Sequence, residues 1–183
     1  MHYGEIKRFD VANGEGVRTS LFVSGCRNRC KNCFNPQTWD FDYGTVFDNE
    51  AEEMIYSALS NPSVRGLTIL GGEPMEPENQ AALLPFIKTV KEKFPDKTVW
   101  LYTGYLYEQL MGEVGSSHVA TDITRELLSF VDILVDGRFI EEKKRLGLRF
   151  RGSENQRIID MNKTRQDGEI TIWHGVSEDK SYK

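Results

Sequence analysis

The sequence predicts an α/β protein built as an open, partial (β/α) barrel. Short apolar segments of the length of buried strands alternate with longer segments whose apolar residues recur at helical spacing. Such alternation is typical of βαβ units around a parallel sheet. About four to six strands can be identified, which is too few for a complete eight-stranded barrel. The expected architecture is therefore a curved sheet that does not close.

The predicted elements follow one another without a repeat or a linker. Strands are expected over Val17–Val23, 67–70, Thr98–Tyr102 and 131–135, and weaker ones over Arg157–Asp160 and 169–173. Helices are expected over 51–59, after an N-cap at Asp48 or Asn49, and over 78–93, 105–111 and 122–130. Pro85 lies inside the second helix, where a proline can kink or split it. The glycine- and serine-containing segment 112–118 is expected to be a flexible loop.

Length and charge limit the classes of function. A chain of 183 residues is most simply one domain, 1–183, and can bury a substantial core. The net charge of −5 gives no sign of a nucleic-acid partner. No apolar stretch approaches the length of a membrane span, and the N-terminus lacks the apolar segment of a signal peptide. We therefore expect a cytoplasmic protein with no membrane partner.

The three cysteines of the chain carry the strongest chemical signal. Cys26, Cys30 and Cys33 have the spacing C-x3-C-x2-C. Three thiolates on one loop can hold three corners of a [4Fe–4S] cluster, whereas electron-transfer clusters use four cysteines. One iron would then lack a protein ligand, and open coordination positions in catalytic metal sites are where substrates bind.

Other interpretations of the cysteines fit less well. Three is an odd number for a disulfide framework. A zinc site would need His2, His118 or His174 as its fourth ligand, and none has finger-like spacing from the cysteines. The cationic side chains between the cysteines can lower thiolate pKa values and offset the negative charge of a cluster. They can equally serve to keep an exposed loop soluble.

A second motif, Gly71-Gly72-Glu73-Pro74, directly follows the strand 67–70. Two glycines leave room for a ligand to approach the backbone, and the proline holds Glu73 extended. The Glu73 carboxylate or a backbone carbonyl can accept a hydrogen bond from an ammonium group. Alone, this motif would be read as a turn. Residues that follow strands should nevertheless meet at one rim, where α/β sheets bind ligands. This rim is expected to include Cys26, Gly71, Thr103 and Asp136.

The cysteine triplet and the GGEP motif together resemble the radical S-adenosylmethionine (SAM) superfamily. The segment Phe150 to Asp160, which contains Arg-Gly-Ser-Glu-Asn-Gln-Arg, resembles the family of activating proteins of the anaerobic ribonucleoside-triphosphate reductase. Three further segments, 33–39, 100–105 and 135–139, are similar to that family too. The resemblance extends from Tyr3 to about Trp173. It implies a partial barrel of the small radical SAM type.

The resemblance also implies cofactors, partners and site residues. It implies a [4Fe–4S] cluster on the three cysteines and SAM, cleaved with one electron from flavodoxin or a similar donor. The resulting 5′-deoxyadenosyl radical would take a hydrogen atom from a glycine of the large reductase subunit. No catalytic acid or base is expected, and the histidines are interpreted as structural or surface residues. The residues expected to bind the cofactor are Asn32, Cys33, Phe34, Gly71, Gly72, Glu73, Thr103 and Asp136.

One position departs from the superfamily pattern. Many members carry an aromatic residue just before the third cysteine, whereas this chain has Asn32 there and Phe34 on the other side. A backbone contact near Asn32 to Phe34 is then expected for the adenine.

Three alternatives remain open at this stage. The chain could activate another glycyl radical enzyme, such as pyruvate formate-lyase, or act on a small metabolite as a radical SAM enzyme. It could also be a non-catalytic iron–sulfur or zinc-binding module.

Two further expectations concern variants. Gly72→Val should weaken SAM binding well before it affects folding. Asn155→Ala combined with Arg157→Ala should lower activity while leaving thermal stability nearly unchanged.

Overall fold

The structure is a computed structural model that describes residues 1–115 and 117–175. The strands are β1 His2–Asp10, β2 Val17–Val23, β3 Thr45–Val46, β4 Val64–Gly71, β5 Thr98–Tyr102, β6 Ile133–Asp136 and β7 Arg157–Asp160. The α-helices are α1 Asn49–Leu59, α2 Pro77–Lys93, α3 Tyr107–Leu110, α4 Thr124–Ser129 and α5 Met161–Asp167. Short 3-10 helices cover Pro36–Trp39 and Glu141–Lys143.

All seven strands belong to one sheet with the order β3-β1-β2-β4-β5-β6-β7. The four central strands, β2, β4, β5 and β6, are parallel. β1 and β7 flank them in antiparallel orientation, and β3 extends the sheet beyond β1. The two outermost strands, β3 and β7, are not neighbours in this order, so the sheet is open. The predicted α/β class and the open sheet are confirmed.

The main core lies between the sheet and its helices. Alternate residues of a strand point to opposite faces, and one face of the sheet packs against α1 and α2. The largest buried members of this core include Leu21, Ile55, Leu59, Leu67, Ile69, Leu83, Phe86 and Leu101. A smaller apolar cluster contains Trp100, Ile133, Val135 and Ile158, with Phe150 and Trp173 packed against it. Within residues 1–115 and 117–175, every helix is too short or too polar to cross a bilayer.

Most predicted elements are confirmed. β2, β5 and β7 have the predicted bounds, β4 is longer than predicted, and β6 begins two residues later. The Asp48 side chain caps α1 by accepting a hydrogen bond from the Ala51 N–H at 3.1 Å. Pro85 does not split α2, which is continuous from Pro77 to Lys93. Its missing N–H leaves the carbonyl of Ala81 without a helical donor, and Ala81 is exposed to water.

Other predictions were wrong or incomplete. The strand over 169–173 is absent, and only a bridge between Ile159 and Ile172 is formed there. The helix over 105–111 shrinks to the four residues of α3. β1, β3 and α5 were not predicted, because their residues are mostly polar and exposed and give no apolar periodicity. The loop 112–118 contains one position, Ser116, outside the described residues.

Candidate functional site

The cysteine loop begins where β2 ends, at Ser24 and Gly25. Gly25 has φ +93°, and a Cβ at this position would lie 2.3 Å from the ring of Phe41, so only glycine fits. The Gly25 N–H donates to the Thr38 carbonyl at 2.8 Å, and the Cys26 N–H donates to the Trp39 carbonyl at 3.2 Å. The 3-10 helix Pro36–Trp39 therefore anchors the start of the loop.

The three cysteines are free thiols in different environments. Cys26 is buried, whereas Cys30 and Cys33 are partly exposed. Burial, reinforced by the nearby Glu73 carboxylate, raises the pKa of the Cys26 thiol to about 12. A metal ion at Cys26 would therefore compete with the proton that burial holds on this thiol.

The backbone of the loop is wound tightly around Cys30. Arg29 and Asn32 adopt left-handed conformations, with φ of 46° and 55°, although neither is glycine. Each such residue costs on the order of 1 kcal/mol. The Cys33 N–H donates to the Cys30 carbonyl at 3.1 Å and closes the turn. The loop is thus held in one shape by specific contacts.

The donor set fits an iron–sulfur cluster. Three thiols on one loop can each take a different iron, so they need not converge on one point. Among the residues that the structure describes, no three His, Cys, Asp or Glu side chains lie close enough to share a single metal ion. His118, one of the histidines considered as a zinc ligand, contacts Glu76 at 3.1 Å.

The two glycines of the GGEP motif pack against the neighbouring backbone. Gly71 has φ +109°, and a Cβ there would lie 2.8 Å from backbone atoms of Phe22 and Val23. At Gly72 a Cβ would lie 2.7 Å from the Gly25 carbonyl and 2.8 Å from the Thr38 carbonyl. Both positions therefore require glycine for internal packing. The expectation that Gly72→Val spares folding is corrected by these contacts.

Glu73 joins the cysteine loop to the end of β5. Its side chain is buried and accepts hydrogen bonds from Asn28 Nδ2 at 2.9 Å and from the Gly104 N–H at 2.7 Å. A third hydrogen bond comes from the Met75 N–H at 2.9 Å. Burial raises the pKa of Glu73 to about 7 despite these donors. The Glu73 carboxylate thus connects the cysteine loop to the GGEP turn and to the end of β5 by hydrogen bonds.

A second carboxylate, Glu76, was not predicted. It is fully buried and accepts from the Arg27 backbone N–H at 2.8 Å and from the Arg27 guanidinium. His118 lies 3.1 Å away, and the Tyr105 hydroxyl is 3.5 Å away. His118, which the sequence analysis interprets as a structural or surface residue, therefore lies beside the GGEP turn. Glu78 completes the group by pairing with Arg27 at 2.6 Å.

The remaining predicted site residues follow β5 and β6. Thr103 is buried, and its hydroxyl accepts from the Tyr105 N–H at 3.1 Å. Asp136 is fully buried, accepts from the Tyr107 N–H at 2.8 Å and forms an ion pair with Arg157. The Cys26, Gly71, Thr103 and Asp136 positions lie at the carboxyl ends of four neighbouring parallel strands, as the sequence predicted.

Asn32 and Phe34 are exposed on the cysteine loop. The Phe34 side chain is 95% exposed and makes no aromatic contact among the described residues. A shallow cavity of about 800 Å³ opens beside the loop. It is lined by Cys26, Arg27, Arg29, Pro36, Gln37, Trp39, Asp40 and Phe41. The buried Trp39 Nε1 has no hydrogen-bond partner in the described part of the chain.

The segment Arg151 to Arg157 packs beside the end of β6. Asn155 Nδ2 donates to the Arg138 carbonyl at 2.8 Å, and Gln156 Nε2 donates to the Gly137 carbonyl at 2.9 Å. Arg157 is held by Asp136 and by Glu108, with Arg157 Nη1 2.9 Å from Glu108 Oε1. The segment therefore lies at the carboxyl end of β6. The ion pairs of Arg157 correct the expectation that Asn155→Ala combined with Arg157→Ala leaves thermal stability nearly unchanged.

The chain belongs to the class of iron–sulfur proteins, because residues 12–159 match the family described as a 4Fe-4S single cluster domain. It is 40% identical over 160 residues to the anaerobic ribonucleoside-triphosphate reductase-activating protein of Pasteurella multocida, covering 86% of this chain and 96% of that protein. The protein of the same name from Haemophilus influenzae is 41% identical over 160 residues, covering 86% and 97%. That of Enterobacteria phage T4 is 35% identical over 158 residues, covering 86% and 93%. The chain is a member of the family of anaerobic ribonucleoside-triphosphate reductase-activating proteins, which confirms the resemblance found in the sequence.

Proposed function

We propose that this protein is an iron–sulfur enzyme that reductively cleaves SAM and generates a glycyl radical on the large subunit of the anaerobic (class III) ribonucleoside-triphosphate reductase. One observation carries the proposal. The loop with Cys26, Cys30 and Cys33 lies directly beside the GGEP turn in a member of the activating-protein family. When bound, the cluster and SAM supply the one-electron chemistry and the radical that removes a hydrogen atom from glycine.

The three cysteines are the proposed cluster ligands. Each thiolate would hold one iron, which leaves a fourth iron open for SAM. Burial of Cys26 and partial exposure of Cys30 and Cys33 leave one side of the loop accessible. The hydrogen bonds that Glu73 and Glu76 accept from Asn28 and Arg27 would hold the loop in place around the cluster.

The backbone of the GGEP turn is the proposed site for the methionine end of SAM. The Glu73 carboxylate already accepts three internal hydrogen bonds, so we assign the contact with the SAM ammonium to the Gly71 and Gly72 carbonyls. Asn32 to Phe34 would contact the adenine through the backbone. Thr103 and Asp136 would border the ligand from the ends of β5 and β6.

Three wider features belong to the same proposal. The open sheet is the curved partial barrel of a small radical SAM protein, formed by one domain. Three unpaired cysteines fit a reducing cytoplasm. The electron is supplied by flavodoxin or a similar one-electron donor.

The test begins with anaerobic reconstitution of the protein with iron and sulfide. SAM is then added with photoreduced deazaflavin, and release of 5′-deoxyadenosine is measured. The large reductase subunit is added next, and its glycyl radical is detected by electron paramagnetic resonance. Pyruvate formate-lyase serves as the competing substrate. A protein that binds iron but releases no 5′-deoxyadenosine would be a binding module. Radical formation only on pyruvate formate-lyase would support the alternative activase.

A further inference from the structure

The positive charge of the chain is concentrated in two segments. Residues 26–33 contain three cations and no acidic residue, and residues 138–151 contain six cations and two acidic residues. The first segment has a net charge of +3 and the second of +4. Because the whole chain has a net charge of −5, its other residues together carry −12. A protein with this overall acidity therefore has one strongly basic surface, which we call the basic rim (residues 26–33 and 138–151).

The two halves of the basic rim are in contact. Lys31 Nζ lies 3.0 Å from Glu142 Oε1. Arg138 Nη2 donates to the carbonyl of Asn28, between the first two cysteines. Asn155 fixes the Arg138 backbone by donating to its carbonyl at 2.8 Å. The segment 138–151 is thus attached to the cysteine loop itself.

Part of this charge is available to a partner. Arg27 is paired with Glu76 and Glu78, and Arg145 with Glu154. The side chains of Arg29, Lys143 and Lys144 are exposed and form no ion pair within the residues that the structure describes.

The backbone that carries the two lysines is fixed. The Lys143 carbonyl accepts from the Glu154 N–H at 2.9 Å, and Lys144 forms a bridge with Ser153. A large apolar side chain is also exposed directly after the first segment of the rim and within the second. Phe34, next to the cysteine loop, is 95% exposed, and Leu146 is 98% exposed. Transient interfaces combine apolar contacts with a charged border in this way.

We propose that the basic rim is the docking surface for an acidic one-electron donor protein. The inference rests on the proposed function, in which the cluster takes one electron from the donor for each SAM cleaved, and the donor is oxidised by one electron. Opposite charge accelerates such encounters and orients the partners. The partly exposed Cys30 and Cys33 lie in the rim, whereas Cys26 is buried, so this face offers a short path to the cluster.

The large reductase subunit is the competing occupant of this surface. Weak electron-transfer complexes are small and depend on charge, whereas stable subunit interfaces are larger and more apolar. A basic surface with exposed Arg29, Lys143 and Lys144 and only two large exposed apolar side chains matches the first type.

The test uses two charge-reversal variants with the same change in net charge. The rim variant is Lys143→Glu/Lys144→Glu. The control is Arg65→Glu/Lys88→Glu, which alters exposed cations at the start of β4 and on α2. Binding of flavodoxin, as the acidic probe, is measured by calorimetry at about 20 mM and about 0.5 M salt. Circular dichroism checks the fold of each variant.

At low salt we expect the rim variant to bind flavodoxin about tenfold more weakly than the wild type, with little change in the control. The difference should disappear at high salt, where the Debye length is only about 4 Å. SAM cleavage with reduced flavodoxin should slow in the rim variant, whereas cleavage with photoreduced deazaflavin should not.

Several results would overturn the docking surface. These are an equal loss of binding in the control, unchanged flavodoxin binding in the rim variant, or a loss confined to the large reductase subunit. A different result separates the two proposals. Wild-type protein that binds flavodoxin through the rim but cleaves no SAM with deazaflavin would contradict the proposed function and still support the docking surface.

Discussion

Two groups of acidic side chains lie at the same end of the sheet, and they hold different parts of the molecule. Glu73 and Glu76 accept hydrogen bonds from Asn28 and Arg27 in the cysteine loop. Asp136 and Glu108, in contrast, hold Arg157 at the start of the edge strand β7. The first group supports an irregular loop, and the second joins regular elements.

The comparison shows that buried carboxylates at one rim can have separate tasks. The cysteine loop has left-handed residues and few regular hydrogen bonds, so its shape depends on the Glu73 and Glu76 contacts. At the edge of the sheet, β7 is held by its pairing with β6, and Arg157 mainly neutralises the buried Asp136. Mutations in the first group should therefore mainly reduce cluster binding, whereas mutations in the second should mainly reduce the stability of the fold.

The largest effect is expected from Cys26→Ala. Removal of one ligand should abolish the intact cluster, so that iron content falls from about four atoms per chain to a small fraction. Iron analysis and the visible absorption of the anaerobically reconstituted protein measure this. Asn32→Gly is the matched control, because it keeps every thiol and suits a φ of 55°. A Cys26→Ala protein with full iron content and SAM cleavage would contradict the ligand assignment.

The next largest effect is expected from Arg157→Ala. This change leaves Asp136 buried without its cation, which should cost about 3 kcal/mol of unfolding free energy. The melting temperature should fall by about 9 °C, measured by circular dichroism. Asn155→Ala is the control and should cost about 1 kcal/mol or less. Cluster content at low temperature should remain normal in both variants. An unchanged melting temperature in Arg157→Ala would show that the ion pair is dispensable for folding.

A smaller loss is expected from Gly72→Val. The new side chain would press on the carbonyls of Gly25 and Thr38, at a cost of about 2 kcal/mol. Iron incorporation should fall together with stability, because the displaced backbone carries the cysteine loop. Ala81→Val provides the control, since it enlarges an exposed side chain on α2. Denaturant unfolding and iron analysis separate the outcomes. Normal stability with loss of SAM binding alone would mean that the glycine serves only the ligand.

The smallest effect concerns the pKa values of two glutamates. Hydrogen bonds from Arg27 lower the pKa of Glu78 to about 2, and those from Arg157 lower the pKa of Glu108. Arg27→Met should return the Glu78 pKa towards about 4.5 and leave Glu108 unchanged. Arg157→Met should raise the pKa of Glu108 and leave that of Glu78 unchanged. Carboxyl NMR titrations of the two variants measure both shifts, and a shift of both glutamates in one variant would show that the two groups are coupled.

The sign of the accompanying pH dependence follows from these directions. The folded-state pKa of Glu78 is below its unfolded value, so its stabilising contribution is complete above about pH 4.5. That contribution is lost as the pH falls from about 4.5 towards about 2. The Arg27→Met variant should lack this part of the acid sensitivity. Because Glu78 is half-exposed, we expect only a small effect on stability.

The sequence predicted the strands and the shared rim because both depend on local patterns. The apolar runs of β2 and β5 are continuous, and residues after parallel strands meet at one edge whatever their identity. The cysteine spacing and the GGEP motif are likewise local. These features were sufficient to bring Cys26, Gly71 and Thr103 together.

The contacts that shape the site could not be predicted in the same way. Arg27 and Glu76 are 49 residues apart, and no periodicity links them. The one local signal was Glu76 itself, an acidic residue just before α2 that could have been considered for its N-terminus. The packing of Gly72 against Gly25 and Thr38 also depends on three distant segments. Sequence reasoning therefore assigned Gly72 to a ligand and missed its neighbours.

The antiparallel direction of β1 has a practical consequence for handling the protein. The first residues of β1 lie beside the end of β2, where the Ser24 N–H donates to the His2 carbonyl at 2.9 Å. A histidine affinity tag fused ahead of Met1 would therefore begin close to the cysteine loop. During loading with iron, its imidazoles would compete with the three thiols for the metal. An N-terminal tag should be cleaved before iron is added.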